Sequence, residues 1–316
     1  MKKRKLGNTD IEVAPLAFGG NVFGWTTDEA MSFKLLDAFV DAGFNLIDTA
    51  DVYSHWAPGN KGGESEAIIG KWLRRSGRRD KIVLATKVGS EMGPGSKGLS
   101  KSYITRAVDD SLRRLQTDTI DLYQSHVDDP ETPLEETLEV YDRLIREGKV
   151  RCIGASNYDA MRLGRALDVS QQHGYASYQC LQTLYNLYDR SYFEKELRAL
   201  CRERGLAVIS YFSLASGFLT GKYRSMDDLA GRARSDMVKK YLDERGRRIL
   251  KALDEVARLL GLTPVKAALA WLIAQPGVTA PIASATSLEQ LRELLEATEV
   301  ELPESSINQL NEASAD

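Results

Sequence analysis

The sequence predicts an α/β protein built as a single (β/α)8 TIM barrel over residues 1–316, with long loops after the second and seventh strands. Three observations predict it. Short apolar runs alternate with amphipathic helical stretches through eight strand–helix units. No shift in composition divides the chain into two parts. Two oversized connections, Ser54–Gly63 and Ser213–Arg245, both run from a strand to a helix, the face on which barrel sites are built. A doubly wound open sheet is the competing arrangement, and the length of the seventh crossover argues against it.

The elements follow in order. The strand candidates are Pro15–Phe18, Asn45–Ile47, Ile82–Thr86, Ile120–Gln124, Val150–Gly154, Gln179–Gln182, Ala207–Tyr211 and Thr279–Ile282. Helical periodicity joins Met31, Leu35, Ala38 and Phe39, then Ile104, Val108, Leu112 and Leu115, then Leu134, Leu138, Tyr141 and Ile145. Thr132-Pro133-Leu134-Glu135 reads as a capping box with proline at the first helical position, where a missing N–H costs nothing. Thr263-Pro264 and Ser287-Leu288-Glu289-Gln290 carry the same start signal. Gly43, Gly77, Gly148, Gly205 and Gly261 read as stops.

Bulk properties exclude several functions. The 42 basic and 45 acidic residues give a net charge of −3, spread along the chain, with no footprint for nucleic acid or an anionic membrane. No apolar run is long enough for a membrane span, and the basic start lacks the apolar segment of a signal peptide. Cys152, Cys180 and Cys201 form no Cys-x-x-Cys, which fits a reduced, cytoplasmic setting. Cys152 and Cys180 are expected in the core. His55, His126 and His173 are too dispersed for a metal site.

The chemistry centres on Asn45–Tyr53. Asp48 ends the second strand and Tyr53 follows in the loop that begins there. By itself that pair is a loop-capping acid and a half-buried phenol. The third strand, however, runs into Lys87, and a lysine just past a buried strand needs a carboxylate, because an unpaired buried ion costs several kcal/mol. The fourth strand closes at Ser125-His126. One barrel end thus collects Asp48, Tyr53, Lys87 and His126. A phenol titrates near pH 10, and a neighbouring ammonium favours the phenolate. Tyr53 then becomes a general acid for a carbonyl oxygen and a base for an alcohol, with Asp48 holding Lys87 and His126 orienting the carbonyl. None of these donates hydride, so a cofactor is implied.

At this point the chain resembles the aldo-keto reductase family. The matching stretches run nearly end to end: Asp48-Thr49-Ala50-x-x-Tyr53, Glu64-Ser65-Glu66-x-x-x-Gly70, Ala85-Thr86-Lys87-Val88, Asp121-Leu122-Tyr123-Gln124-x-His126, Gly154-Ala155-Ser156-Asn157, Gln182-x-x-Tyr185-Asn186 and Leu214-Ala215-x-Gly217-x-Leu219-Thr220-Gly221-Lys222-Tyr223. The resemblance implies a barrel, the four residues above as the catalytic set, and NADPH/NADP as cofactor, with NADH as the alternative. It implies that Ser156, Asn157 and Gln182 hold the nicotinamide carboxamide and that Tyr211 stacks under its ring. It implies further that Leu214, Ser216, Gly217, Leu219 and Lys222 lie along the pyrophosphate, and that Ser284, Ser287, Gln290 and Glu293 meet the adenosine phosphate. Read without the resemblance, Ser156-Asn157 is a helix N-cap before Tyr158.

This chain departs from the family in four places. Phe212-Ser213 follows the stacking tyrosine where Ser-Pro is common, Ser284 replaces a glycine, and Leu294 replaces an asparagine. No Lys or Arg stands between Ala283 and Gln290 to hold a 2′-phosphate; Arg292 and Arg232 are the substitutes. Gly93-Pro94-Gly95-Ser96-Lys97-Gly98 spells a dinucleotide pattern but reads as a flexible connection before a helix capped by Ser100. Trp25 and Trp56 are expected to line a substrate pocket, with Phe23, Asp51 and His55 beside them, for an apolar aldehyde or ketone. The expected activity is reduction of such a carbonyl. Oxidation of an alcohol, or a cofactor-sensing binding module without turnover, are the alternatives. A monomer or small homo-oligomer is expected.

Overall fold

The computed structural model describes residues 1–231 and 234–315. A short hairpin comes first, β1 (Arg4–Lys5) paired with β2 (Glu12–Val13). Eight parallel strands then close into a barrel: β3 (Ala17–Gly19), β4 (Leu46–Asp48), β5 (Val83–Val88), β6 (Ile120–Ser125), β7 (Val150–Ser156), β8 (Tyr178–Leu184), β9 (Ala207–Tyr211) and β10 (Val278–Ala283). Closure runs through Ile282 beside Ala17 and Ala283 beside Phe18. Each apolar run is therefore a strand, and the open sheet is excluded. Lys87 lies inside β5 rather than past its end, because parallel pairing to β6 continues through Lys87–Gln124 and Val88–Ser125.

The helices are α1 (Glu29–Asp41), α2 (Glu64–Ser76), α3 (Lys101–Leu115), α4 (Leu134–Arg146), α5 (Ala160–His173), α6 (Arg198–Arg204), α7 (Ser235–Val238), α8 (Glu244–Leu260), α9 (Pro264–Ala274), α10 (Leu288–Glu296) and α11 (Glu304–Ala313). Ser100, Thr263 and Ser287 cap α3, α9 and α10, each accepting a backbone N–H three residues on. The capping box expected at Thr132 is absent. Thr132 Oγ1 donates to Asp129 Oδ2 at 2.7 Å, and α4 begins after Pro133 with no side-chain cap. Among the described residues, no single helix is long and apolar enough to cross a membrane.

Strand alternation sorts the core into two shells. Leu46, Val83, Ala85, Leu122, Cys152, Cys180, Ile209 and Ala280 fill the barrel interior, and Leu6, Ile11 and Val13 from the hairpin plug its lower end. Their neighbours in sequence, such as Ile47, Leu84, Ile153, Leu181 and Val208, face the helices. The period of two carries the inward face upward. Two residues beyond Leu46, Ala85, Leu122 and Cys180 stand Asp48, Lys87, Gln124 and Gln182. The apolar interior thus ends in a polar layer at the C-terminal end of the strands.

Both long connections open on this end. Residues 49–63 contain turns but no helix or strand, and residues 213–243 hold only short helical turns among those described. The stretch from Gly93 to Gly98 is a loop between β5 and α3, with neither a strand directly before it nor a helix directly after it.

Candidate active site

The polar layer is organised on Asp48. Its Oδ2 accepts from Lys87 Nζ at 2.8 Å, and its Oδ1 accepts from Gln182 Nε2 at 2.8 Å and from Gln124 Nε2 at 3.3 Å. Lys87 is 0% exposed and Asp48 1%. A buried ion pair holds only when its remaining donors and acceptors are satisfied. Here the ammonium also donates to the Thr49 carbonyl and to the Tyr53 hydroxyl, both at 2.8 Å. All three of its protons are therefore directed.

Electrostatics set the protonation states. For Lys87, burial is the largest single effect and opposes the charge, but Asp48 and then Tyr53 outweigh it and hold the ammonium above its ordinary pKa. For Tyr53, burial pushes the phenol above 10.0, and the pull of Lys87 in the other direction does not cancel it. This corrects the expectation that the ammonium lowers the phenol. The hydroxyl is shut away from water more strongly than the charge beside it compensates, so the resting group is a neutral phenol. His126 lies with its ring 5.9 Å from that of Tyr53. Burial first, and Lys87 second, drive its pKa down to about 3, so at neutral pH it is a neutral imidazole.

Ser156, Asn157 and Tyr211 form one wall beside this centre. The Tyr211 hydroxyl donates to Asn157 Oδ1 at 2.7 Å, while Asn157 Nδ2 donates to the His126 carbonyl at 2.9 Å and to Ser156 Oγ at 3.1 Å. Asn157 has a φ of 59°, the left-handed region that asparagine tolerates better than most residues. It is not a helix cap: Asp159 caps α5 by accepting from Arg162. Gln182 commits its amide N–H2 to Asp48 and Gln124, which leaves its carbonyl oxygen to accept from a ligand.

The segment from Leu214 to Lys222 turns tightly. Ala215, Ser216 and Gly217 have φ of 47°, 58° and 99° in succession. Non-glycine residues in this region concentrate at ligand clamps. The exposed Lys222 folds back so that Nζ lies 3.6 Å from the Cβ position that Gly217 lacks. Leu219 is buried beneath the turn. On the far side of the mouth, Ser284 Oγ bonds Asn21 Oδ1 at 2.7 Å. Gln290 Oε1 is held by the amide and hydroxyl of Thr286, and Ser287 caps α10, which also carries Glu293. These groups fit an extended anionic cofactor: a basic, tightly turned cradle at one end and a helix N-terminus at the other. Arg292 is exposed on α10, whereas Arg232 lies outside the described residues.

The aromatic wall is only partly as expected. Trp56, 41% exposed, meets Tyr53 edge-on at 5.9 Å and Trp25 at 5.7 Å. Both indoles stand at the mouth. Phe23 does not: it is fully buried and stacked on Phe18 at 5.3 Å. Asp51 is also turned away, 2% exposed, with its carboxyl pushed up to about 8 by burial and then by Glu66. His55 is an exposed loop residue whose Nδ1 lies 3.1 Å from the Val52 carbonyl. Gln124 was not foreseen as part of the centre. The signal was available, because it stands two residues before His126 on the inward face of β6.

A buried acid–ammonium–phenol contact thus stands on the C-terminal rim of a closed eight-stranded barrel, the face on which barrel enzymes carry their sites. Residues 15–315 match the sequence model of the Aldo/keto reductase family, and the chain belongs to that family, oxidoreductases of small carbonyl compounds that use nicotinamide cofactors. The Uncharacterized oxidoreductase YrpG of Bacillus subtilis (strain 168) is 36% identical over 320 residues, which span 99% of this chain and 95% of the relative. Protein tas of Escherichia coli (strain K12) is 32% identical over 330 residues, 96% of this chain and 95% of its own. The Aldo-keto reductase yakc of Schizosaccharomyces pombe, whose name carries NADP(+), is 30% identical over 321 residues, 98% and 90% of the two chains.

Proposed function

We propose that this protein reduces aldehydes or ketones to alcohols with NADPH, Tyr53 acting as the general acid. The observation that carries the reading is the neutral Tyr53 hydroxyl 2.8 Å from a fully buried Lys87 that Asp48 holds charged. A carbonyl seated against Tyr53 becomes more basic as hydride arrives. The phenol then gives up its proton to that oxygen, and Lys87 stabilises the phenolate left behind. Asp48 acts through Lys87 as a positioning residue. Neutral His126 has one ring N–H to donate, and a donor beside the phenol orients the carbonyl without adding charge.

The bound nicotinamide supplies the hydride that no side chain here can. Ser156, Asn157 and the Gln182 carbonyl oxygen would hold its carboxamide, and Tyr211 would form the platform under the ring. Leu214, Ser216, Gly217, Leu219 and Lys222 would cradle the pyrophosphate. Ser284, Ser287, Gln290 and Glu293 would meet the adenosine end, with Arg292 as the described basic group near a 2′-phosphate. The NADP(+) in the name of one relative supports this choice over NADH.

The test is a titration of tryptophan fluorescence with NADPH and with NADH, paired with turnover of an aldehyde and ketone panel by wild type and Tyr53→Phe. Tighter NADPH binding with turnover that needs Tyr53 is the expected result. Tight cofactor binding with no turnover on any member of the panel would overturn the reading and leave a cofactor-binding module.

A further inference from the structure

The second long loop brings an arginine to the mouth. Arg234 stands with its guanidinium carbon 5.6 Å from the centre of the Trp25 ring. It makes no salt bridge to any described carboxylate; the acid two residues on, Asp236, is paired with Lys239 at 2.6 Å. Trp25 in turn meets Trp56, and Trp56 meets Tyr53, each at under 6 Å. A continuous aromatic path therefore leads from the phenol to a cation. Burial lowers the pKa of that guanidinium, with a weaker opposing effect from Tyr223. Among the described residues this cation meets the Trp25 ring face and no carboxylate, and a cation drawn out of water gains most from an anion that arrives with a ligand.

We propose that Arg234 is a specificity-determining residue for an anionic carbonyl substrate: an aromatic or otherwise apolar aldehyde or ketone carrying a carboxylate at the end remote from the carbonyl. This rests on the reductase reading above and names its substrate class. The alternative service for Arg234 is a cofactor phosphate. The ring contacts favour the substrate, because Trp25 and Trp56 together join Arg234 to Tyr53, while Ser287 and Gln290, the groups at the adenosine-phosphate end, lie at the N-terminus of α10. An apolar body would lie along the two indoles and its carboxylate would pair with the planar fork of the guanidinium.

The experiment measures kcat/KM for 4-formylbenzoate and 4-formylcinnamate, each against its methyl ester, with NADPH, for wild type, Arg234→Gln and Arg234→Lys. Wild type is expected to favour the acid over the ester by tenfold or more. Arg234→Gln is expected to abolish that preference mainly through KM for the acid, and Arg234→Lys to restore part of it. Quenching of tryptophan fluorescence by 4-formylbenzoate, read in the three proteins with NADP bound, reports the site without turnover. Acid-dependent binding that Arg234→Gln removes, with no turnover of any aldehyde, keeps the anion site and fails the reductase reading. Ester reduced as well as acid fails the anion site and keeps the reductase reading. A variant whose only change is a higher KM for NADPH overturns the proposal in favour of a phosphate contact.

Discussion

Lys87 Nζ lies 2.8 Å from the Tyr53 hydroxyl and 4.4 Å from the centre of the same ring, yet the phenol remains harder to ionise than tyrosine in water. Burial outweighs the nearby charge. The phenol therefore keeps its proton at neutral pH and has it to donate.

Tyr53→Phe should therefore lower kcat for reduction by roughly 10² to 10⁴, the usual worth of a positioned general acid, and leave the cofactor dissociation constant near its wild-type value. The pH profile should be flat through the neutral range. Tyr53 is raised above 10.0 and His126 is held at about 3, so neither changes protonation there. Steady-state kcat measured from about pH 6 to 9 checks this; a limb near the ordinary histidine value of about 6.5 would assign the acid to His126 instead.

Breaking the buried pair should cost more than deleting it. Lys87→Met leaves Asp48 charged, buried and facing two amides, and is expected to destabilise the fold by about 3–5 kcal/mol. Asp48→Asn together with Lys87→Met should recover part of that loss, since no ion then remains in the barrel. Urea denaturation of both single variants and the double variant gives the coupling.

Asp51 should make stability fall as pH rises. Its native carboxyl titrates at about 8 against 3.8 for the free side chain. Between those values the folded protein keeps a proton that the unfolded chain has released. The contribution is complete below about pH 4 and is lost as pH rises through about 8, an effect on the order of a few kcal/mol. Asp51→Asn removes the titration, so its unfolding free energy should change less between pH 6 and 9 than that of wild type, on a scale set by that same linkage. Equal slopes would mean that Asp51 ionises freely in the native state.

Gly70→Ala tests the packing of α2 on α3. Alanine would ordinarily stabilise a helix interior by about 1 kcal/mol. Here its Cβ would sit 2.1 Å from the Arg114 carbonyl oxygen and 2.9 Å from Leu115 Cα, both backbone atoms that cannot turn aside. Overpacking should win, with a net loss of about 1–3 kcal/mol by urea denaturation. A more stable variant would show that the two helices separate freely.

Much of this was readable in advance because it is local. An apolar run of four to six residues between helical stretches encodes a buried strand, and eight such runs encode a barrel. Asp48, Lys87 and His126 were readable as one set because each stands at or beside the C-terminal end of an apolar run, and parallel strands in a barrel deliver their C-terminal ends to one face. Helix starts at Ser100, Thr263 and Ser287 follow from one side chain reaching a backbone N–H three residues on. Thr132 failed that rule because Asp129, in the preceding loop, captured its hydroxyl.

The remaining features depend on chain segments far apart in sequence. Gln182 reaches Asp48 across 134 residues, and no pattern in either neighbourhood encodes that bond. Phe23 and Asp51 carry the composition of a pocket wall but were enclosed when other elements packed over them. The direction of the Tyr53 shift turns on a balance between a charge, whose presence is legible from Lys87, and a loss of water, which exists only once the barrel rim has closed. Arg234 meets Trp25 because the loops after β3 and β9, far apart in sequence, come together in the closed barrel. Side-chain type and spacing are properties of the chain, whereas burial, and the electrostatics that follow from it, are properties of the closed fold.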